Sequence, residues 1–330
     1  MIIKTNYSSA FSFLKALKLL MLLQLFFTDS KAQPHLFDSI FRTPPQINYY
    51  VSALAHDSMH GRATGTDGML KAAHFIATQM KAIGLQPVKT NDGYFHNYGK
   101  LSYWDKHEAI NVIGAIPGSS KPDELVIFSA HYDHLGKIKS KKDSVFNGAN
   151  DNASGTALLL QLASYYIQTK PERTILFIAF SGEELGLKGS EEFAASIDED
   201  KVRVVINFDM VGRSPKKIIY MSGTEYGDVQ SVMNKELFTV NKEKFGKNYF
   251  KGNAPVVQFF SRSDNYPFAV KGIPAHTISA TPDNDRYYHQ LSDETTTLDF
   301  ELINELAKTI FIATQPIVNG TVKLRRIRVD

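Results

Sequence analysis

Five residues of this 330-residue chain have the types and spacing of metal ligands: His131, Asp151, Glu184, Asp209 and His289. Each stands in a short polar break, and several directly follow an apolar run. Two imidazoles and three carboxylates suit a pair of divalent ions sharing one bridging carboxylate. Beside one of them stands Glu183, a spare carboxylate placed to move a proton. Such a set implies hydrolysis by a metal-bound water. Two divalent ions balance the three carboxylates plus one hydroxide. Histidine and carboxylate donors without a thiolate favour two zinc ions, with cobalt or manganese as substitutes.

Taken singly, each position has a plainer reading. His131 closes the run Leu125–Ala130, and Asp133, two residues on, is placed to hydrogen-bond that imidazole and fix its tautomer. A capped strand end would explain both. Asp151 lies among Gly148, Ala149, Asn150, Asn152, Ala153, Ser154 and Gly155, where an N-cap is the ordinary role. Glu183 and Glu184 follow the apolar run Thr174–Phe180 through Ser181-Gly182. Adjacent carboxylates there repel one another and resist desolvation, an objection that a metal removes. Asp209 ends Val204–Phe208, and His289 precedes Asp293, its expected orienting partner. Five such positions with balanced donor types no longer fit the plain readings.

The elements that must position these residues alternate. Apolar runs predict strands at Ala109–Ile116, Leu125–Ser129, Thr174–Phe180, Val204–Phe208 and Ile218–Met221. Helices are expected at Ala153–Tyr166, capped by Asn152 and Ser154, and at Gly227–Asn241 and Phe300–Thr314. Ile47–Leu85 reads as largely helical, broken by the turn-rich loop Gly61–Gly68. Strands apolar at nearly every position are covered on both faces, so the fold class is α/β, a three-layer α/β/α sandwich around a mixed, mostly parallel sheet. Sites in such sheets lie where strands end. Tyr103–Asn111 and Gly136–Asn147 are too short to house an inserted lid domain.

The N-terminus is read apart from that domain. Lys4, Lys15 and Lys18 precede the apolar stretch Leu19–Phe27, and Ser30-Lys31-Ala32 offers a cleavage site before Gln33. Residues 1–32 are thus a predicted signal peptide, and 33–330 a single domain with a helical leader over 33–100 and a catalytic core over 101–330. The stretch is shorter than the roughly 20 apolar residues of a membrane span. Export to the periplasm or beyond is expected, without stable membrane insertion after cleavage. The chain holds 37 basic and 34 acidic residues. Removing Lys4, Lys15, Lys18, Lys31 and Asp29 leaves the two signs equal, which gives no reason to expect a nucleic-acid partner. The absence of cysteine leaves no disulfide and no thiolate ligand.

From Ala109 to the C-terminus these segments resemble the co-catalytic zinc peptidase family of secreted bacterial leucyl aminopeptidases, whose relatives include glutamate carboxypeptidases and glutaminyl cyclases. Leu54–Leu85 resembles that family's leader helices. The resemblance implies that Asp151 bridges two metals, with His131 and Asp209 completing one site and Glu184 and His289 the other. It puts Glu183 at the general base, Asp133 at the histidine-orienting aspartate, Tyr288 at an oxyanion-stabilising position and Arg262–Asn265 at the substrate-pocket loop. It also implies a cis peptide between Asp151 and Asn152.

The implied activity is that of an aminopeptidase acting on peptide substrates. A carboxypeptidase or dipeptidase on the same scaffold is the alternative, and it would need a cation such as Arg213 or Arg262. A glutaminyl cyclase comes next, then a non-catalytic metal-binding protein, against which the spare Glu183 argues. Side-chain preference and oligomeric state have no signature in the sequence.

Overall fold

A computed structural model describes residues 33–88, 92–139, 143–252, 259–281 and 284–329. The predicted signal peptide lies outside them. The chain divides into two compact units, Met1–Thr43 and Pro44–Asp330. In the first, Gln33–Phe41 is helical and stacks Phe37 on Phe41 at 6.3 Å. All other described elements belong to the second. Among the described residues no helix is long and apolar enough to cross a membrane.

Among the described residues of the second unit, nine strands form one sheet: β1 (Gln86–Pro87), β2 (Phe95–Asn97), β3 (Ile110–Ile116), β4 (Lys121–His131), β5 (Arg173–Phe180), β6 (Val202–Phe208), β7 (Ile219–Met221), β8 (Phe250–Gly252) and β9 (Ala275–Ser279). Their order is β1-β3-β5-β4-β6-β9-β7-β8, with β2 also paired to β3. The four central strands β5, β4, β6 and β9 run parallel. Antiparallel pairs flank them, β3 on β5 and β7 on β9. A mixed sheet with a parallel centre is the architecture expected from the apolar runs.

Alternation along the central strands feeds both faces. Phe128 of β4 stacks on Phe177 and Phe208 of its neighbours at 5.7 and 6.0 Å, and on Tyr166 of helix Gly155–Tyr166 at 5.7 Å. Tyr166 in turn meets Phe311 of helix Phe300–Ala313 at 4.7 Å. Ile127, Ile178 and Val205 belong to a second cluster, with Phe193 of helix Lys188–Ser196 and Phe268 of helix Tyr266–Ala269. Each buried aromatic contributes about 1.5–3 kcal/mol, so the centre of the sheet is held rigidly from both sides.

The predicted strands and helices all occur, with ends shifted by a few residues. β4 runs to His131, making that histidine the strand's last residue. Ile47–Leu85 becomes the helices Ile47–Leu54 and Asp67–Ile83, the second opening at Thr66 and closing at Gly84 with a left-handed φ of 99°. Helix Gly155–Tyr166 is capped by Asn152, whose Oδ1 accepts from Gly155 N at 2.9 Å. Ser154 does not cap it, because its hydroxyl donates to Asn150 O instead. Strand β9 and helix Lys188–Ser196 are not announced by any apolar run. The polarity of β9 hides it: Thr277 donates its hydroxyl to Asn265 Oδ1 and its backbone N–H to Ser222 Oγ, and His276 Nδ1 lies 2.9 Å from Ser222 O.

Candidate metal centre

Parallel strands end on one side of the sheet, and the predicted ligands arrive there. β4 delivers His131 directly, β5 leads through Ser181-Gly182 into Glu183 and Glu184, and β6 leads into Asp209. Asp151 enters on the turn Ala149–Ser154, with a cis peptide to Asn152. A Cβ on Gly155 would lie 2.3 Å from Asn152 Oδ1 and 2.5 Å from Phe208 O, so only glycine lets this turn approach β6. His289 comes from the segment between β9 and helix Phe300–Ala313, at a positive φ of 56°.

The two oxygens of Asp151 face different partners. His131 Nε2 lies 3.4 Å from Asp151 Oδ1 and 3.5 Å from Asp209 Oδ1. His289 Nε2 lies 3.2 Å from Asp151 Oδ2 and 3.2 Å from Glu184 Oε2. Glu183 Oε2 stands 4.0 Å from His131 Nε2, with only 13% of the side chain exposed. Donor atoms gather within 4.8 Å of one another in two sets, His131 with Glu183 and Asp209, and His134 with Asp151 and Glu184. All five predicted ligands and Glu183 are therefore brought together.

The donor set fits divalent cations. Asp209 Oδ1 is buried and has no hydrogen-bond partner, although it lies 3.5 Å from His131 Nε2. An orphaned carboxylate oxygen among other carboxylates is costly unless a cation lies there. Charge in the cavity is correspondingly strained. Burial pushes the Glu183 carboxyl well above its usual value, and Asp209, Asp264 and Glu184 add to this against His131. Burial and Glu184 likewise raise Asp151. Burial opposes protonation of His131, but Glu183, Asp133 and Asp209 hold it well above the usual imidazole value. His289 is pulled down by burial yet raised to about 10 by Asp151 and Glu184. Glu184 is opposed by burial but held far below its usual value by hydrogen bonds to His134 and His289.

Supporting contacts reach the donors from distant segments. Ser263 donates to Asp209 Oδ2 at 2.7 Å and receives from Asn207, which also receives from Ser129 and donates to Thr277. Asn152 Oδ1 accepts from Met210 N, and its Nδ2 donates to Phe208 O, fastening the turn at Asp151 to the segment of Asp209. Asp293, expected to orient His289, instead accepts from the backbone N–H groups of Asn150 and Asp151 and pairs with buried Arg213 at 2.8 Å. Arg213 is further tied to Asp285. Asp133 lies beside His131, whose Nδ1 is 3.3 Å from the Asp133 carbonyl oxygen and 3.7 Å from its carboxylate. That carboxylate is committed elsewhere, accepting from Thr64 Oγ1 and Glu183 N.

Tyr288 stacks on His289 with ring centroids 3.9 Å apart. Burial, with Asp151 and Glu184, pushes its phenol far above the usual value. Exposed Arg262 approaches its hydroxyl at 3.4 Å. His134 is the residue that ligand spacing overlooked. Its Nδ1 lies 2.8 Å from Glu184 Oε1, and its Nε2 is buried without a partner. The signal was present as a second histidine three residues beyond His131, on the same strand end.

The model of peptidase family M28 matches residues 111–314, more than half of the chain. Aminopeptidase YwaD of Bacillus subtilis is 29% identical over 239 residues, covering 69% of this chain and 49% of that protein. A probable zinc metalloprotease of Leptosphaeria maculans is 29% identical over 211 residues, covering 56% and 48%. The chain thus spans about half the length of these curated relatives. Among solved structures, an aminopeptidase from an Aneurinibacillus strain superposes with a TM-score of 0.62 at 18% identity, covering 88% of this chain and 96% of its own. A glutaminyl cyclase of Porphyromonas gingivalis gives 0.65 at 17% identity, covering 83% and 98%. At such identities the likeness is one of fold.

Proposed function

The chain belongs to peptidase family M28, and from that membership we propose that it is an exported, zinc-dependent aminopeptidase that removes N-terminal residues from peptides. The observation carrying this reading is Glu183: a raised carboxyl, 13% exposed, that stands 4.0 Å from His131 Nε2 at the edge of the donor atoms. His131 with Asp209 and His289 with Glu184 would each hold one zinc ion, and Asp151 would serve both. When bound, the ions acidify water and polarise the scissile carbonyl.

The chain's own residues supply the remainder. Glu183 accepts the proton of the attacking water and later delivers it to the departing amine, so its carboxylate is regenerated. Tyr288, whose phenol stays protonated at neutral pH, is free to donate a hydrogen bond to the oxyanion. Asp133 accepts the Glu183 backbone N–H and fixes the base relative to the histidine strand. The carboxypeptidase reading loses one of its two cations, since Arg213 is buried and paired with Asp285 and Asp293. The N-terminal segment 1–32 supports export by composition alone.

The deciding assay sets an aminoacyl-anilide against an N-blocked peptide with a free carboxylate, alongside ammonia release from N-terminal glutamine peptides. Turnover of the anilide is expected. Activity only on the blocked peptide, or only as ammonia release, would reject the aminopeptidase reading. Glu183→Gln is expected to keep its metal and lose about two to four decades in kcat, the span of general-base contributions.

A further inference from the structure

The loop Gly61–Gly68 lies outside the residues matched by the family model, 111–314, yet it touches Gly182, the residue before the proposed base. Thr64 is buried there and uses both halves of its hydroxyl. It donates to Asp133 Oδ2 at 2.9 Å, and it accepts from Gly182 N at 3.0 Å. Asp133 Oδ1 in turn accepts from Glu183 N at 3.3 Å. Two successive backbone N–H groups, of Gly182 and Glu183, are thus held by a hydroxyl and a carboxylate that are themselves hydrogen-bonded.

Further contacts tie the loop down beside this one. Arg62, fully buried two residues earlier, donates Nε to Tyr132 O, Nη1 to Leu54 O and Asn147 O, and Nη2 to Gly148 O. Gly61 has a φ of 69°, and a Cβ there would stand 2.2 Å from Gly136 O. The loop is therefore pinned to the segment after β4 and to the approach to Asp151 before Thr64 meets Gly182.

We infer that Thr64 is a positioning residue for Glu183: its hydroxyl closes a cycle with Asp133 and the Gly182–Glu183 backbone that aims the base. The inference rests on Glu183 being that base. Glu183 has no side-chain hydrogen bond of its own among the described contacts, so its aim depends on the backbone to which it is attached. A hydroxyl can accept from one group and donate to another at once, which valine cannot do. Serine can. Because the hydroxyl touches neither donor set, its loss acts on the base and leaves the metals in place.

The test compares Thr64→Val, Thr64→Ala and Thr64→Ser with the wild type and with Glu183→Gln. Metal content, melting temperature, kcat and KM on an aminoacyl-anilide are read for each. Thr64→Val and Thr64→Ala are expected to lower kcat about 10–100-fold, the usual effect of removing a supporting contact, with KM within about twofold and metal content unchanged. Thr64→Ser is expected to restore kcat to within about threefold of wild type. Wild-type kcat in Thr64→Val, loss of metal in step with activity, or a serine variant as slow as valine would overturn the assignment. Unfolding of both Val and Ala variants would also overturn it, by making the hydroxyl a stability element. Wild-type turnover in Glu183→Gln would instead remove the base reading beneath it.

Discussion

Replacing Arg62 by lysine keeps the charge and removes the fork, which makes the consequence calculable. The guanidinium makes four hydrogen bonds to main-chain carbonyls, at 2.7 Å to Tyr132, Leu54 and Asn147 and at 3.0 Å to Gly148. Burial pulls it down to about 10, with Asp151, Asp293, Asp133 and Glu184 opposing that pull, so it remains protonated at neutral pH. An ammonium carries three protons on a single nitrogen and cannot stand within reach of acceptors spread around three. At least two buried carbonyls lose their donor, at about 1–3 kcal/mol each. The expected loss is about 4 kcal/mol, a large share of the 5–15 kcal/mol that typically separates folded from unfolded chains. Since about 1 kcal/mol shifts a large domain by about 2–4 °C, the melting temperature should fall by on the order of 10 °C. Differential scanning fluorimetry at pH 7 reads this directly, with urea denaturation as the second measure. A melting temperature within about 2 °C of wild type would refute the claim that the fork holds these carbonyls.

Two further outcomes concern the donors. Ser263→Ala removes the hydrogen bond that holds Asp209 Oδ2 and should weaken zinc binding about 10–100-fold in a chelator competition, whereas unchanged affinity would mean that Asp209 is fixed by its backbone alone. At pH 7 the metal-free imidazoles of His131 and His289 carry protons, because nearby carboxylates raise both, His289 to about 10. A metal requires the neutral nitrogen, so zinc loading should expel protons and its affinity should climb as pH rises from 6 to 8. Calorimetry in buffers of differing ionisation enthalpy measures the release, and a heat independent of buffer would contradict it.

Three of the five donors, and Glu183 with them, were legible because they obey a local rule. An apolar run of strand length followed by His, Asp or Glu marks a buried strand end, and His131, Glu183, Glu184 and Asp209 all announce themselves in this way. The central strand β9 failed that rule, because His276, Thr277 and Ser279 look like surface residues until Ser222, Asn265 and Met210 bond to them. His134 failed differently. It was visible beside Asp133, yet nothing in a linear sequence tells whether its ring or that of His289, 155 positions away, reaches Glu184. Both do, on opposite oxygens.

Arg213 shows why the supporting contacts could not be read from local pattern at all. In sequence it is a cation near the site, and a free cation is what a carboxylate-binding pocket requires. In the fold its guanidinium is shared between Asp285 and Asp293. Asp293 in turn accepts the backbone N–H groups of Asn150 and Asp151, the two residues that bring the proposed bridging carboxylate into place. The bonds of this chain span more than 70 residues, and Thr297 adds another to Arg213 Nη1. The same positive charge therefore argues for opposite functions depending on what it touches. Once it is committed to holding Asp293, it no longer supports recognition of a substrate's C-terminus, and the aminopeptidase reading gains by that commitment.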